Sequence, residues 1–299
     1  MKAPDRKGTV SSFFTYWDGP NFTPEGWNEL DLEIVPSVEE NPLSMNIIYG
    51  DGEDKVESHD YGHKFNPHDD WHTYEMEWTP HYVSWSVDGH EMRHLSMQEP
   101  AVEHLHKAQS LRMNFWTPTF HSWGAGFNPV DMPWYVLYDY VEVFTYDAEH
   151  NEFKFHWRDD FDEFDSGKWH KAAGGFDNNT SVFHPANAYT TGGHLVLKME
   201  PEHTRHEEHD IELKIKESFG MDLDHRHEHK LPHHTTREFN EADEQSASDW
   251  SEEEHTPTGY LSQKEMDIVA KRDHLQRTAK GGYEVVSHDT HGQEHEDDD

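Results

Sequence analysis

The chain of 299 residues contains no cysteine, which excludes disulfide bonds and thiol chemistry. It has no apolar run near the roughly 18 residues that a transmembrane helix needs, and no apolar signal-peptide segment at its start. Positive charge is also scarce, because 24 Lys and Arg stand against 61 Asp and Glu, giving a formal net charge of −37. Nucleic acids and anionic membrane surfaces are therefore poor partners, since both are bound through clustered cations. A neutral polysaccharide is compatible with this charge.

Aromatic side chains are abundant: 11 Trp, 12 Tyr and 16 Phe occur in a chain with only 33 % hydrophobic residues. They supply the bulk for a core that disordered sequences lack. Helix signals are nearly absent from the first 200 residues, where short strand-like segments are separated by turns. The pattern predicts an all-β fold, a β-sandwich. We expect strands near residues 8–16, 27–35, 44–49, 71–78, 81–87, 90–95, 110–116 and 134–146.

Residues 27–35, Trp-Asn-Glu-Leu-Asp-Leu-Glu-Ile-Val, alternate carboxylates with aliphatic residues. In an extended strand Glu29, Asp31 and Glu33 share one face, and the aliphatic residues share the other. Three like charges in a row do not stabilise a strand, so a metal ion or a reaction has to compensate for them. The alternative is a solvated edge strand with accidental alternation. Aromatic residues close to the segment in the chain, Phe13, Phe14, Tyr16, Trp17 and Trp27, favour a groove that stacks on sugars.

The segment resembles the signature W-x-E-[IL]-D-[ILV]-E of the family 16 glycoside hydrolases. Other segments resemble the lichenase-type members, the 1,3-1,4-β-glucanases, and follow one another in order along the chain. They are residues 8–14, 45–48, 72–74, 77–80, 83–89 and 111–116. The resemblance implies a jelly-roll sandwich with a concave sheet that holds the substrate.

The resemblance also implies a retaining mechanism in which Glu29 is the nucleophile and Glu33 the acid/base. Asp31 between them would hydrogen-bond the nucleophile and tune the pair. On an ideal strand the Cα atoms of residues 29 and 33 lie about 13 Å apart. A retaining enzyme needs its two carboxyl groups about 5–5.5 Å apart, so curvature of the sheet has to close the gap. The expected substrate-binding residues are Phe14, Tyr16, Trp27, Asn46, Arg112, Asn114, Trp116 and Trp123.

The unbulged E-x-D-x-E pattern marks lichenase-like and xyloglucan-active members of the family, whereas many 1,3-β-glucanases insert one residue. We therefore expect an endo-acting hydrolase that cuts 1,4-β bonds in mixed-linkage 1,3-1,4-β-glucan. A 1,3-β-glucanase or a xyloglucan-type transglycosylase on the same fold is the first alternative, and a non-catalytic β-glucan-binding protein is the second. The family further implies a secreted monomer that needs no cofactor for catalysis.

A structural calcium ion is also implied by the resemblance. Asp139, Asp160 and Gly193 fall on positions that bind calcium in the family, and side-chain and backbone oxygens are the ligands that this cation takes. Without the resemblance, Asp139 would be interpreted as a hydrogen-bonded core residue and Gly193 as a turn glycine.

The order of segments indicates a circularly permuted member of the family. Residues 153–162 and 193–198 look like the opening strands of a lichenase, yet here they follow the acidic segment. The junction falls near residues 147–153, and residues 1–200 are expected to form the hydrolase domain. Residues 201–299 are rich in His, Asp and Glu, which predicts a largely disordered tail with one short helix near 263–280. Metal capture is the alternative interpretation of its His and Glu clusters.

The start of the chain also departs from the family pattern. Lichenases carry a strand immediately before the segment that matches residues 8–14, and residues 1–4 resemble only its end. We expect that the given sequence begins inside that strand, which would also hide a signal peptide. The alternative, which we rank second, is that residues 282–286, Gly-Tyr-Glu-Val-Val, supply the strand from the tail.

Overall fold

The structure, a computed structural model, describes residues 1–19, 26–50, 54–55, 58, 65–201, 211–219 and 282–287. The helix predicted near residues 263–280 lies outside this part of the chain. Within it, no helix is long and apolar enough to cross a membrane.

A seven-stranded antiparallel sheet contains the acidic segment. Its strands lie side by side in the order β12 (Trp169–Ala173), β15 (Gly282–Ser287), β8 (Ser110–Trp116), β1 (Val10–Tyr16), β2 (Trp27–Ile34), β3 (Leu43–Gly50) and β4 (Asp54–Lys55). The acidic segment is β2, and it pairs with β1 on one side and with β3 on the other. It is therefore an interior strand, and the alternative of a solvated edge strand is excluded.

Three smaller antiparallel sheets complete the described β structure. They consist of β5 (Tyr74–Trp78), β6 (Tyr82–Val87) and β7 (His90–Ser96); of β13 (Ala188–Thr191), β14 (His194–Met199) and β9 (Trp134–Tyr138); and of β10 (Val141–Asp147) with β11 (Glu152–Asp159). The single strand predicted at residues 134–146 is wrong, because the chain leaves the β9 ladder at Asp139 and Tyr140. The helices are α1 (Pro100–His104), α2 (His121–Gly124) and α3 (Ile211–Phe219).

Two apolar clusters fill the space between the sheets. The first joins the inner faces of β2 and β3 to β6, through residues such as Leu32, Met45 and Trp85. The second joins β8 to β9 and β14, through residues such as Met113 and Val136. The aliphatic face of β2 is thus the floor of a sandwich core, and the predicted all-β sandwich is confirmed.

Residues beyond Glu200 contribute to this sandwich, contrary to the expectation that its strands end there. Strand β15 pairs with β12 and β8, so the backbone groups along that side of β8 gain partners. Helix α3 places Ile215, which is fully buried, against Tyr135 and Leu137 on the outer face of β9. Residues 282–286 thus form a strand of the seven-stranded sheet. This agrees with the second-ranked expectation, in which the tail supplies a strand.

Candidate active site

The alternation of β2 separates the carboxylates from the core. Leu30, Leu32 and Ile34 are at most 1 % exposed and face the sandwich interior, so Glu29 and its two acidic companions face the other side. Directly opposed residues of neighbouring strands share a face, and Asp31 is opposed by Phe14 on β1 and Asn46 on β3. By the same registers this face also carries Ser12, Tyr16, Trp27, Ser44, Ile48, Ser110, Arg112, Asn114 and Trp116.

Hydrogen bonds hold two of the three carboxyl groups. Trp27 donates from Nε1 to Oε2 of Glu29 at 2.6 Å. Asn46 donates from Nδ2 to Oδ2 of Asp31 at 3.3 Å. Asp31 and Asn46 are only 4 % and 5 % exposed, while Glu29 and Glu33 are half-buried. The strand therefore has two half-buried acidic residues on either side of a buried one.

The environment of this row raises the pKa of two of its carboxyl groups. Burial raises the pKa of Glu29 to about 7, against the opposing effect of the hydrogen bonds from Trp27 and Asp31. Burial and the charges of Glu29 and Glu33 raise the pKa of Asp31 well above its ordinary value. The hydrogen bond between Asp31 and Glu29 lowers the pKa of Glu29 and raises that of Asp31, so it favours the proton on Asp31 over Glu29.

Aromatic and cationic side chains meet at the Glu29 end of the row. The rings of Tyr16 and Trp27 lie nearly perpendicular, with centroids 5.9 Å apart. The guanidinium carbon of Arg112 lies 4.4 Å from the centre of the Tyr16 ring, and Arg112 forms an ion pair with Asp18. Because Asp18 balances its charge, Arg112 supports the Tyr16 ring instead of providing an anion site.

Trp116 and four other aromatic rings form a cluster beyond the Glu33 end of the row. Trp116 contacts Phe176 and Phe120, with centroids 4.9 Å and 6.5 Å away, and Phe120 lies 5.4 Å from Trp123; Phe183 adjoins Phe176. Trp116 itself is only 7 % exposed, whereas Phe120 and Phe176 are each 39 % exposed. Phe120 and Phe176 are not among the substrate-binding residues predicted from the sequence. Phe176 is far from Trp116 along the chain, and no local pattern marks its contact with that ring.

The two aspartates expected to bind calcium already have nitrogen neighbours. Oδ1 of Asp139, a residue that is 6 % exposed, lies 3.5 Å from Nε2 of the fully buried His194. Oδ1 of Asp160 accepts a hydrogen bond from Nε of Arg158 at 2.8 Å and lies 2.7 Å from its Nη2. Gly193 has a φ of +75° in the turn before β14. Asp139 offers a buried carboxylate that fits a cation, but Asp160 would have to exchange Arg158 for the ion.

A different group of side chains in the described part has ligand atoms close enough for a metal ion. It consists of Asp147, His150 and Glu152 at the turn between β10 and β11. Lys154 forms ion pairs with Asp147 and with Glu152. The lysine already supplies the positive charge that these carboxylates attract.

The chain has relatives among known glucanases. Residues 1–135 match the family model "Glycosyl hydrolases family 16". The chain is 34 % identical over 208 residues to a beta-glucanase of Fibrobacter succinogenes. The aligned region covers 67 % of this chain and 58 % of that protein. It is 30 % identical over 142 residues to a beta-glucanase of Bacillus amyloliquefaciens, covering 47 % of this chain and 55 % of the relative. The chain thus spans little more than half the length of these relatives.

Two solved structures are similar at 27 % sequence identity. A prokaryotic beta-1,3-1,4-glucanase (lichenase) from a mouse hindgut metagenome gives a TM-score of 0.33 and covers 43 % of this chain and 56 % of that one. The Bacillus licheniformis beta-glucanase gives a TM-score of 0.34, with 44 % and 56 % covered. The family match and the identity with the Fibrobacter protein confirm the predicted resemblance: the chain carries a domain of glycosyl hydrolases family 16.

Proposed function

We propose that this protein is an endo-acting, retaining β-glucanase that cuts 1,4-β bonds in mixed-linkage 1,3-1,4-β-glucan. The main support is the row of Glu29, Asp31 and Glu33 on one face of an interior strand, in which burial raises the pKa of the first two and the charges of Glu29 and Glu33 raise that of Asp31 further. The relatives named beta-glucanase agree with this assignment. The unbulged E-x-D-x-E pattern supports the linkage.

In the proposed mechanism Glu29 is the nucleophile. Its carboxylate attacks the anomeric carbon while Glu33 protonates the departing glycosidic oxygen, which gives a glycosyl ester on Glu29. Glu33 then removes a proton from water, and the resulting hydroxide attacks the same carbon and releases Glu29 with net retention. Trp27 orients Glu29 through its 2.6 Å hydrogen bond.

Asp31 has a supporting role in this proposal. In its protonated form, which its raised pKa favours, it donates a hydrogen bond to Glu29 instead of repelling it. A third charged carboxylate would oppose the ionisation of the nucleophile. Asp31 thus allows Glu29 to be ionised near neutral pH, where its pKa is about 7.

Two buried polar atoms on the cleft side are suited to bind sugar hydroxyl groups. Within the described part of the chain, neither Oδ1 of Asn46 nor Nε1 of Trp116 has a hydrogen-bond partner. A buried polar group without a partner is costly, so a ligand that supplies one gains affinity. We propose that a hydroxyl donates to Asn46 and that another accepts from Trp116. Phe14, Tyr16, Trp27, Arg112, Asn114 and Trp123 complete the proposed substrate-binding set, with Phe120 and Phe176 added.

We further propose a structural calcium ion held by Asp139 and the backbone of Gly193. Asp160 joins these ligands where it is released from Arg158. Calcium takes oxygen ligands, and the buried carboxylate of Asp139 is the strongest candidate among the three. The proposal also includes a secreted monomer with a circularly permuted domain, since segments 153–162 and 193–198 follow the acidic strand.

A reducing-sugar assay on four polysaccharides tests the function. Barley mixed-linkage glucan, laminarin, carboxymethylcellulose and xyloglucan are incubated separately with the full chain. We expect the highest rate on barley glucan. A highest rate on laminarin or xyloglucan overturns the linkage assignment, and binding without hydrolysis of any of the four overturns the enzymatic assignment.

A further inference from the structure

A tryptophan of the opposite layer is hydrogen-bonded to the middle of the acidic strand. Trp85 of β6 is fully buried in the core and donates from Nε1 to the backbone oxygen of Asp31 at 2.8 Å. Asp31 lies midway between Glu29 and Glu33. The bond therefore acts on the backbone of the strand midway between the two residues that carry the proposed catalytic carboxyl groups.

Arg93 reinforces this contact from the next strand. It is the cross-strand partner of Trp85 in β7, and its guanidinium carbon lies 5.3 Å from the centre of the Trp85 ring. Its Nη1 donates to the backbone oxygen of Met45 at 2.6 Å, and Met45 pairs with Leu32 in the ladder between β2 and β3. Trp85 and Arg93 together, here called the carbonyl clamp, hold two adjacent strands of the acidic sheet.

The clamp pulls on the strand in the direction that brings the side chains of Glu29 and Glu33 closer together. The carbonyl groups of a regular antiparallel strand point within the sheet toward its neighbours. A hydrogen bond from the core side draws the carbonyl of Asp31 downward, so that the strand becomes concave on the cleft side. Side chains on a concave face converge, which closes the gap between an ideal Cα separation of about 13 Å and the carboxyl spacing of about 5–5.5 Å that retention needs.

We propose that Trp85, supported by Arg93, is a positioning residue that keeps the acidic strand concave so that Glu29 and Glu33 reach the same glycosidic bond. The inference rests on the hydrolase function proposed above. Trp85 lies on the core side of the sheet, away from the substrate cleft, so its effect is exerted through the backbone of Asp31.

Replacement of the indole donor tests the clamp. Trp85→Phe keeps an aromatic ring but removes the N–H group. Since a misplacement of about 1 Å can cost about 100-fold in rate, we expect kcat on barley glucan to fall by about 10-fold or more, with KM within about twofold. Trp169→Phe is the matched control, because Trp169 is 1 % exposed and donates from Nε1 to Asp159 at 2.7 Å. The control should lower the melting temperature without changing kcat.

A second readout does not depend on activity. The carboxyl group of Glu29 is titrated by NMR in protein labelled with ¹³C-glutamate, and its signal is assigned by its absence from Glu29→Gln. Trp85→Phe should shift the pKa of Glu29, because the spacing within the carboxyl row changes, whereas Trp169→Phe should not. If the wild type hydrolyses none of the four glucans, the proposed function fails, but the titration still tests the clamp.

A wild-type kcat together with a wild-type Glu29 titration in Trp85→Phe overturns the inference, whatever the loss of stability. Should that variant not fold, Arg93→Met takes its place, because it removes the donor to Met45 and keeps an apolar stem. We expect it to lower kcat with KM unchanged and to shift the same titration. A wild-type kcat and titration in this variant equally overturns the inference.

Discussion

At the scale of single residues, the carboxyl row has an asymmetry that its sequence spacing does not reveal. Glu29 is hydrogen-bonded to an indole and to Asp31, and its pKa is raised to about 7. Asp31 is buried, and burial and its two charged neighbours raise its pKa well above the ordinary value. Three acidic residues with the same spacing in an exposed strand would all be ionised at neutral pH. The proposed roles of Glu29 and Asp31 therefore differ because the surroundings of the two carboxyl groups differ.

Removal of the carboxyl group of Glu29 or Glu33 should nearly abolish hydrolysis. We expect Glu33→Gln to lower kcat on the order of 10²–10⁴-fold, the usual contribution of a general acid/base, and Glu29→Gln to be at least as damaging. With azide and an activated substrate, Glu29→Ala should give an inverted glycosyl azide and Glu33→Ala a retained one. NMR of the products distinguishes the two. The reverse stereochemistry would show that the roles are exchanged.

Trp27 should control the acid side of the pH profile. The nucleophile must be ionised, so kcat/KM should rise with pH through the Glu29 pKa of about 7. The hydrogen bond from Trp27 lowers that pKa, so Trp27→Phe should move the acid limb to higher pH. Trp17→Phe is the control, because its ring contacts Lys107 at the same end of the cleft. An acid limb that stays in place in Trp27→Phe would contradict this role.

At the scale of elements, the sheet of β5, β6 and β7 combines local turn chemistry with a longer-range bond. Asp88 and Gly89 both have positive φ, 51° and 75°, as a tight two-residue hairpin turn requires. The carboxylate of Asp88 also accepts hydrogen bonds from Nδ1 of His72 at 2.7 Å and from the Thr73 backbone N–H at 2.8 Å. The turn is therefore attached to the segment that precedes β5.

This contact should make stability depend on pH. Burial alone would lower the pKa of His72, but the hydrogen bond and charge of Asp88, together with hydrogen bonds to Asn66 and Asp69, outweigh burial and raise that pKa above 6.5. The imidazolium then stabilises the fold below pH 6.5, and this contribution is lost as pH rises through the higher folded-state pKa. We expect His72→Gln to cost up to about 1 kcal/mol at pH 6 and less at pH 9.

Thermal melts of wild type and variant at both pH values measure this difference. His90→Gln, an exposed residue of the same hairpin, serves as the control and should show no pH-dependent cost. An equal loss of stability in His72→Gln at pH 6 and pH 9 would mean that the ion pair is not the cause.

At the scale of the whole molecule, the last third of the chain takes part in the sandwich at two places. Strand β15 lies between β12 and β8, and α3 covers the outer face of β9. An acidic sequence can still contain short segments whose few apolar residues cover a sheet. The low overall hydrophobicity of residues 201–299 conceals Ile215, which is fully buried.

The contribution of α3 can be measured with a single substitution. Ile215→Ala removes a fully buried side chain and should cost roughly 2–5 kcal/mol of unfolding free energy. Glu217→Ala, on the exposed side of the same helix, should change stability by less than about 0.5 kcal/mol. Urea titrations measure both. Equal stability of the two variants would show that α3 does not stabilise the fold. Deletion of residues 202–299 should lower the melting temperature further than Ile215→Ala does.

The proposed calcium ion would stabilise the whole native fold. A ligand that binds only the native state stabilises it by mass action, so excess chelator should lower the melting temperature. Asp139→Asn should abolish the response to chelator. An unchanged melting temperature of the wild type after chelation would refute the site and leave His194 as the neighbour of the Asp139 carboxylate.

The sequence by itself determined which residues share a face of each strand near the site. Side chains alternate with a period of two whatever the neighbouring strand is, so Glu29, Asp31 and Glu33 could be separated from the core without knowledge of the fold. The same rule put Phe14 and Tyr16 on one face of β1. The family motifs added the order of the strands and the expected roles.

Only the tertiary structure decided which groups surround that face. The burial that raises the pKa of Asp31, the bond from Trp85 to its carbonyl and the contact of Phe176 with Trp116 depend on packing between segments far apart in the chain. The sequence pattern at residues 282–286 is weak, so a strand supplied by these residues ranks only second among the expectations from the sequence. Its place in the sheet depends on the unpaired side of β8, which exists only once the sheet has formed.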